Sequence, residues 1–386
     1  MESIYLDNNA TTRIDPQVVE ALSQAYEQRF VNPASQHQAG QRTRRRLEQA
    51  AELIIRALGG DQSSHQADSL VFTSGGTEAN NLAILGLGEA RAGQILVSAV
   101  EHPSVSTAAM ALLQRGRTVH TLPVDSQGVV RLNMLVEHLI DGPTALVSVM
   151  LGNNETGVLQ PIEQIAQLCH THGVPLHVDA VQAVGKIPIY FRQWGLSALT
   201  LSAHKLHGPR GIGGLLLAPG MNPTPQIVGG SQQLERRAGT ENPELAIGLQ
   251  RAIELAVGNR TTHTAQMARL RDTFEERLKA VIPDLVIHGP PAKRLPHTSN
   301  VAFPGIDRQG LVMALDMVGV YCSTGSACAS GSSEPSPTLL AMGLNRGLID
   351  SSLRFSFARD NTLVEMEEAV RRISSVVNNL RQNSSR

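Results

Sequence analysis

Short apolar or β-branched runs alternate, between residues 70 and 217, with stretches whose apolar positions recur every three or four residues. The runs cover residues 70–73, 95–98, 118–122, 145–150, 176–179, 198–202 and 214–217, each the length of a buried strand. The helical period occupies residues 78–92, 104–115, 132–139 and 162–172 between them. That alternation predicts an α/β fold whose mostly parallel seven-stranded sheet is flanked by helices. Upstream, residues 4–12 read as a short strand and a turn. One helix follows from Pro16 to about residue 28, and a basic amphipathic helix runs from about 38 to 58, stopped by Gly59-Gly60. Beyond Pro243 come a helix to about 257 and a long one over 262–281, polar on one face and suited to connect two units. Short strands at 285–288, 299–303, 320–322 and 353–357 then mix with helices, as in a smaller α+β domain. The final helix opens on the capping box Thr362-Leu363-Val364-Glu365 and runs to about 382.

Length and composition narrow the possibilities. With 386 residues, 41% of them hydrophobic, the chain is long enough for two domains with proper cores. Its 33 basic and 34 acidic residues leave a net charge of -1, so no broad field favours nucleic acid or a membrane surface. The basic run Arg42–Arg46 falls on the face of a helix. Three cysteines, and no basic stretch followed by an apolar one at the start, point to a reducing, cytoplasmic setting. A Cys322–Cys328 bridge stays open. Cys169-His170-Thr171-His172 has core spacing in a helix and lacks a companion CxxC, so no metal site is expected.

The chemistry gathers just after strands, where ligands of parallel sheets bind. Ser202-Ala203-His204-Lys205-Leu206-His207-Gly208-Pro209 puts a lysine at a strand end, either a loop lysine or an amine made nucleophilic by burial. Another strand ends on Asp179, followed by Ala180-Val181-Gln182. A Schiff-base lysine with an aspartate on a pyridinium nitrogen is the pair that pyridoxal phosphate chemistry requires. Thr73-Ser74-Gly75-Gly76-Thr77-Glu78 leaves a strand and opens a helix, as an anion site or a plain capped turn. Glu101-His102 offers an imidazole to stack or shuttle protons, or a structural histidine. Asn153-Asn154-Glu155-Thr156-Gly157 holds amides for a carboxylate or for its own turn. Arg354, inside an apolar strand, needs a partner: a substrate carboxylate or an internal acid. The small-residue loop 323–333 carries Cys328, a travelling thiol or a bystander.

Taken together, these residues resemble the cysteine desulfurases of the class V aminotransferase family, which are fold-type I pyridoxal phosphate enzymes. The likeness covers nearly the whole chain. It includes Leu6-Asp7-Asn8, Asn32-Pro33-Ala34-Ser35, Phe72 to Glu78, Glu101-His102, Asn153 to Gly157, His177-Val178-Asp179, Ser202 to Lys205, Arg237-Ala238-Gly239-Thr240 and Arg354-Phe355-Ser356. Gly325-Ser326-Ala327-Cys328, with a long loop to Glu334-Pro335-Ser336, resembles the group I branch. The resemblance implies a large cofactor-binding domain over residues 15–258, and a small domain from 1–14 and 259–386 that carries the cysteine loop.

It also implies roles. Lys205 holds the cofactor, Asp179 keeps its pyridine nitrogen protonated, His102 stacks on the ring, and Gln182 bonds the phenolic oxygen. Gly76, Thr77, Ser202 and His204 take the phosphate, with Thr240 reaching in from the other subunit of a homodimer. Asn154 and Arg354 take the carboxylate of L-cysteine. Cys328 accepts the sulfur as a persulfide, alanine leaves, and an acceptor such as an iron–sulfur scaffold protein receives the sulfur. The short run after the final helix makes scaffold docking through a C-terminal extension doubtful. A selenocysteine lyase or another pyridoxal phosphate-dependent C–S lyase is the competing enzyme, and thiol dependence separates it from a desulfurase. A fold-type I protein acting only as a structural partner would be colourless.

Overall fold

The computed structural model describes residues 2–62, 66–290, 292–325 and 334–384. Its strands, in chain order, are β1 (Ile4–Tyr5), β2 (Ser69–Thr73), β3 (Gln94–Ser98), β4 (Val119–Leu122), β5 (Thr144–Ser148), β6 (Leu176–Asp179), β7 (Ala198–Ser202), β8 (Gly213–Leu217), β9 (Val286–His288), β10 (Thr298–Ala302), β11 (Val320–Tyr321) and β12 (Ser352–Ser356). A seven-stranded sheet takes the order β2-β8-β7-β6-β5-β3-β4. Neighbours from β4 to β7 pair in parallel, with Val147 opposite Leu176 and Asp179 opposite Thr200. β8 runs antiparallel to both β7 and β2, so β2 points the same way as β7. The carboxyl ends of β2, β3, β5, β6 and β7 therefore share one edge. After β3 the chain goes outward to β4 and returns to β5 on β3's other side, which opens a crevice at that edge.

The central strands are buried on both faces, as continuous apolar runs in parallel sheets require. Alternation still sorts their side chains. Leu96, Val147, Val178 and Leu199 join one apolar cluster, while Ile95, Val97, Leu146 and Ala198 join another on the opposite face. The helix expected over 78–92 differs in detail. It starts earlier, at Gly76, widens into π-type turns over Leu82–Leu87 and ends at Ala90. A Cβ on Gly86 would lie 2.8 Å from Pro223 Cβ, and the Thr224 N–H takes the Gly86 carbonyl at 3.1 Å, so the segment 223–224 presses on the widened turns.

A separate apolar cluster forms around the antiparallel sheet β12-β10-β9 and the parallel pair β1-β11. Phe274 packs on Phe355 and Phe357 with ring centroids 5.0 and 5.3 Å away. The long helix Arg260–Val281 supplies Leu270, Phe274 and Leu278 to this cluster, so it is a wall of the core as well as a connection. The capping box forms: the Glu365 N–H reaches Thr362 Oγ1 at 3.2 Å, and the Thr362 N–H reaches Glu365 Oε2 at 2.7 Å. Ile4 and Leu6 belong to the same cluster, after which the chain crosses to the large sheet, where the Thr12 N–H bonds the His204 carbonyl at 2.9 Å. No helix among the described residues is long and apolar enough to cross a membrane.

Candidate active site

β7 ends at Ser202 and turns through the short helix Ala203–Lys205. The Lys205 ammonium group donates to the carbonyls of Asn9, at 2.5 Å, and Ala10, at 2.7 Å, on the segment that crosses from β1. Asp179 closes β6 beside it. One carboxylate oxygen accepts from the Val181 N–H at 2.9 Å and the other from the Asn80 amide at 2.7 Å. These two bonds fix the position of the carboxylate. Gln182 donates to the Asn9 carbonyl at 3.0 Å, while its buried Oε1 has no partner.

Beside Lys205 the edge is shaped by small residues. A Cβ on Gly76 would lie 2.9 Å from Val181 Cγ2 and 3.4 Å from Ser202 Cβ, so only glycine lets the helix after β2 start this close. Ser202 Oγ is buried without a partner, an arrangement that costs about 1–3 kcal/mol unless a ligand or water meets it. His204 Nδ1 lies 3.3 Å from Thr11 Oγ1, and burial together with the Lys205 charge pushes its pKa down to about 4. It is therefore a neutral hydrogen-bonding group at neutral pH. Thr77 is exposed on the first turn, and Glu78 pairs with Arg237 at 2.7 Å. Thr240, three residues after Arg237, is exposed.

His102 caps the helix Pro103–Gln114. Its Nδ1 accepts from the Ser104 N–H at 3.1 Å and lies 2.8 Å from Ser104 Oγ. Burial lowers its pKa, against the pull of Asp179 and with the push of Lys205 and Arg354. Next to it Glu101 is buried. Its Oε1 accepts from the Ser98 hydroxyl at 2.5 Å and the Met150 N–H at 2.6 Å, and its Oε2 has no partner. Burial raises the Glu101 pKa to about 8; the Asp179 charge adds to that and the Ser98 bond opposes it.

Arg354, 2% exposed in β12, is tied on several sides. It pairs with Asp7 at 2.7 Å and donates to the carbonyls of Asn154 and Gly325 at 3.1 and 3.0 Å, while its Nε is left without a partner. Its internal acid is thus Asp7. Asn154 is half-buried beside it. Glu155 accepts from the Ser336 hydroxyl at 2.6 Å, and a Cβ on Gly325 would lie 2.7 Å from its Oε2. Burial raises its pKa. Gly325 and Ser336 flank the segment 326–333, and Cys328 lies outside the described residues. Cys169 and Cys322 are free thiols. Burial pushes the Cys169 pKa up to about 12 and raises that of Cys322.

The sequence profile described as aminotransferase class-V matches residues 4–368. The chain is 41% identical to a cysteine desulfurase of Nostoc sp. over 99% of its own length and 94% of the relative's. The cysteine desulfurase NifS of Azotobacter vinelandii is 40% identical over the same shares. The X-ray structure of a NifS-like protein from Rickettsia africae superposes with a TM-score of 0.89 at 32% identity, covering 98% of this chain and all of the other. The chain belongs to the class-V aminotransferase family.

Family members of the cysteine desulfurase kind are pyridoxal phosphate enzymes, and the described residues fit that cofactor. Ser202 Oγ and Gln182 Oε1 are buried groups in need of partners, on the edge that carries Lys205 and Asp179. Three contributors were not legible as site residues in the sequence. Asn80 joins Asp179 to Ser104, at 2.7 and 2.8 Å; its signal was a polar amide just ahead of the apolar run from Leu82, where a buried amide must find a partner. Asn9 and Ala10 act through backbone carbonyls, which no side-chain pattern marks.

Proposed function

We infer that the protein is a pyridoxal phosphate-dependent cysteine desulfurase, taking sulfur from L-cysteine and releasing L-alanine. The observation that carries this reading is the pairing of Lys205 with Asp179 on one sheet edge, with the Ser202 hydroxyl and the Gln182 amide oxygen left without partners there.

When bound, pyridoxal phosphate supplies an electron sink for the substrate's α-carbon. The rest is the work of the chain. Lys205, held on the Asn9 and Ala10 carbonyls, would carry the cofactor. Asp179, held by Asn80 and the Val181 N–H, would hold a proton on the pyridine nitrogen. Gln182 meets the phenolic oxygen. His102, positioned by Ser104, would stack on the ring, and burial lowers its pKa against the pull of Asp179. Gly76, Thr77, Ser202 and the neutral His204 hold the phosphate. Arg354, with its unpartnered Nε, and Asn154 orient the substrate carboxylate.

The sulfur step falls to Cys328. Its thiolate bonds the substrate sulfur, the C–S pair stays with the carbon, and protonation of that carbon gives alanine. The enzyme keeps a persulfide for an acceptor such as an iron–sulfur scaffold protein. Arg354 on the Gly325 carbonyl and Glu155 on Ser336 hold the two ends of the cysteine segment.

The working unit is a homodimer in which Thr240 of one subunit completes the phosphate site of the other. Ile227, Val228 and Leu234 are exposed apolar residues on the segment leading to Thr240, as a face buried by a second copy would be. We place a large domain over residues 15–258 and a small one from 1–14 and 259–386. Ile4, Leu6 and residues such as Leu270, Phe274, Phe303 and Phe355 share a cluster in support of the small domain, although Leu295, Leu339, Met342 and Ile349 pack with the large sheet's cluster.

The direct test is incubation of the purified yellow protein with L-cysteine. Alanine and protein-bound persulfide should form in equal amounts. Pyruvate and ammonia in place of alanine, or a protein that stays colourless with added cofactor, would overturn the reading.

A further inference from the structure

The stretch 227–240 lies against the free edge of the large sheet, and most of its bonds go unused by the chemistry above. β2 ends the strand order, so its outer N–H and C=O groups have no neighbouring strand. The Gln233 side chain supplies what a strand would. Its Oε1 accepts from the Phe72 N–H at 2.6 Å, and its amide donates to the Phe72 carbonyl at 2.8 Å. Nearby, Arg236 donates to Ser69 Oγ at 2.6 Å and to Asn222 Oδ1 at 2.8 Å. Arg237 reaches Glu78 with two bonds, of 2.7 and 3.3 Å. Side chains of one short segment are thus fastened along β2 and to the helix that begins at Gly76.

The segment is also closed on itself. The Ala238 N–H meets the Ile227 carbonyl at 3.2 Å, and a Cβ on Gly229 would lie 3.0 Å from Ala238 Cβ, so its two ends pack side by side. Gln232 turns the other way from Gln233: its Oε1 accepts from the N–H of Gly239, the residue before Thr240, at 3.1 Å. Between these anchors Gln233, Leu234 and Glu235 have φ of +49°, +58° and +63°. L-residues visit that left-handed region singly, and a run of them without glycine persists only where surrounding bonds impose it. Leu234 on this turn is 77% exposed, and Val228 at the start of the arm is 82% exposed. The arm is bonded to its own chain through polar groups and leaves apolar ones bare.

We propose that Gln232 and Gln233 are positioning residues for Thr240: Gln233 pins the arm to β2, Gln232 pins Gly239, and Thr240 is thereby presented to the cofactor phosphate of a second copy of the chain. This inference rests on the shared phosphate site of the proposed homodimer. Fixing the arm before the subunits meet removes the ordering that a loose loop would undergo on contact. A role within the same subunit would instead act through Phe72, which leads into that subunit's own phosphate turn. The two directions give opposite results in mixed dimers.

The test uses full-length chains carrying Gln233→Met or Gln232→Met, which keep the side-chain length and remove the hydrogen bonds. The readout is the pyridoxal phosphate concentration that half-loads Lys205 in cofactor-depleted protein, measured by mass spectrometry after borohydride reduction. In each homodimer it should rise about five- to tenfold, as the loss of one or two hydrogen bonds implies. Each variant is then paired with a Lys205→Ala chain bearing a different affinity tag, and the heterodimer is isolated. Its one lysine-bearing site lies in the glutamine-variant subunit and draws Thr240 from the other, whose arm is intact. Half-loading there should return to the unmodified value. A site still weakened would place the effect within the subunit, and homodimers never weakened would show that Thr240 needs neither glutamine; either result overturns the proposal. Thr240→Val paired the same way tests the shared site alone. Rescue there without rescue here removes the glutamines' role and keeps the shared site, whereas no rescue there removes the shared site itself. If neither glutamine variant folds, amide hydrogen exchange in the unmodified protein decides. Slow exchange at Phe72 and Gly239 supports the held arm, and fast exchange at either overturns it.

Discussion

The Asn80 side-chain amide lies 2.7 Å from Asp179 Oδ2 and 2.8 Å from Ser104 Oγ, joining the acid at the end of β6 to the serine that positions His102. The two groups proposed to flank the cofactor ring are held by one residue of the helix that begins at Gly76.

Asn80→Ala should therefore weaken cofactor binding without touching the cofactor. Asp179 would keep only the Val181 N–H, and a lost bond to a buried charge costs about 1.5–3 kcal/mol. The dissociation constant for pyridoxal phosphate should rise about tenfold or more, measured by absorbance titration. Asn80→Asp, which sets a second carboxylate against Asp179, should be worse. Equal affinity in a folded Asn80→Ala protein would show that Asp179 does not depend on this bond.

Glu101 gives a stability prediction with a definite sign. Its pKa is about 8 in the folded chain, against about 4.3 for an unfolded glutamate. Between those values the folded state holds a proton that the unfolded state has lost. Its contribution is therefore present below about pH 4 and falls as pH rises toward 8, by at most about 1.4 kcal/mol per pH unit. Glu101→Gln, neutral at every pH, should lose less Tm between pH 5 and 8 than the unmodified protein. Parallel Tm profiles would mean that Glu101 is ionised in the fold.

Cys328→Ser separates sulfur transfer from cofactor chemistry. The serine variant should bind the cofactor and still change its spectrum on adding cysteine, since those steps depend on Lys205 and Asp179. Persulfide and alanine formation should fall by more than a hundredfold, or about 2.7 kcal/mol of transition-state stabilisation. Burial that raises the Cys169 and Cys322 pKa values makes both poor thiolates, so changing either to serine should leave most of the activity. Near-unmodified alanine release by Cys328→Ser would rule out the persulfide route.

A shared site predicts rescue by mixing. Lys205→Ala and Thr240→Val homodimers should each be weak. Dissociated and reassociated together, they should form heterodimers with both changes in one site and neither in the other. Activity should return toward about half that of the unmodified dimer per heterodimer. No recovery at any mixing ratio would place Thr240 in its own subunit's site.

The order of elements was written locally. The strand ranges expected at 176–179 and 198–202 are those of β6 and β7, and Thr362 and Glu365 cap as their spacing required. Apolar run length and helical period depend on near neighbours, so a sequence displays them directly. The motifs at strand ends were legible for the same reason, since parallel strands place their carboxyl ends on one edge whatever the loops do.

Partners were another matter. Arg354 advertised a need for an anion, but its acid is Asp7, 347 positions earlier, and Asn9 holds Lys205 across 196. Even the π-type turns of the helix after β2 meet a distant segment, through the Thr224 N–H on the Gly86 carbonyl. Such contacts arise only when the β1 segment and the large sheet dock, because the free energy of a buried polar group depends on which donor or acceptor the fold brings to it. Local pattern determined what the elements are; tertiary docking decided which buried polar atoms found partners and which, like Ser202 Oγ, were left for a ligand.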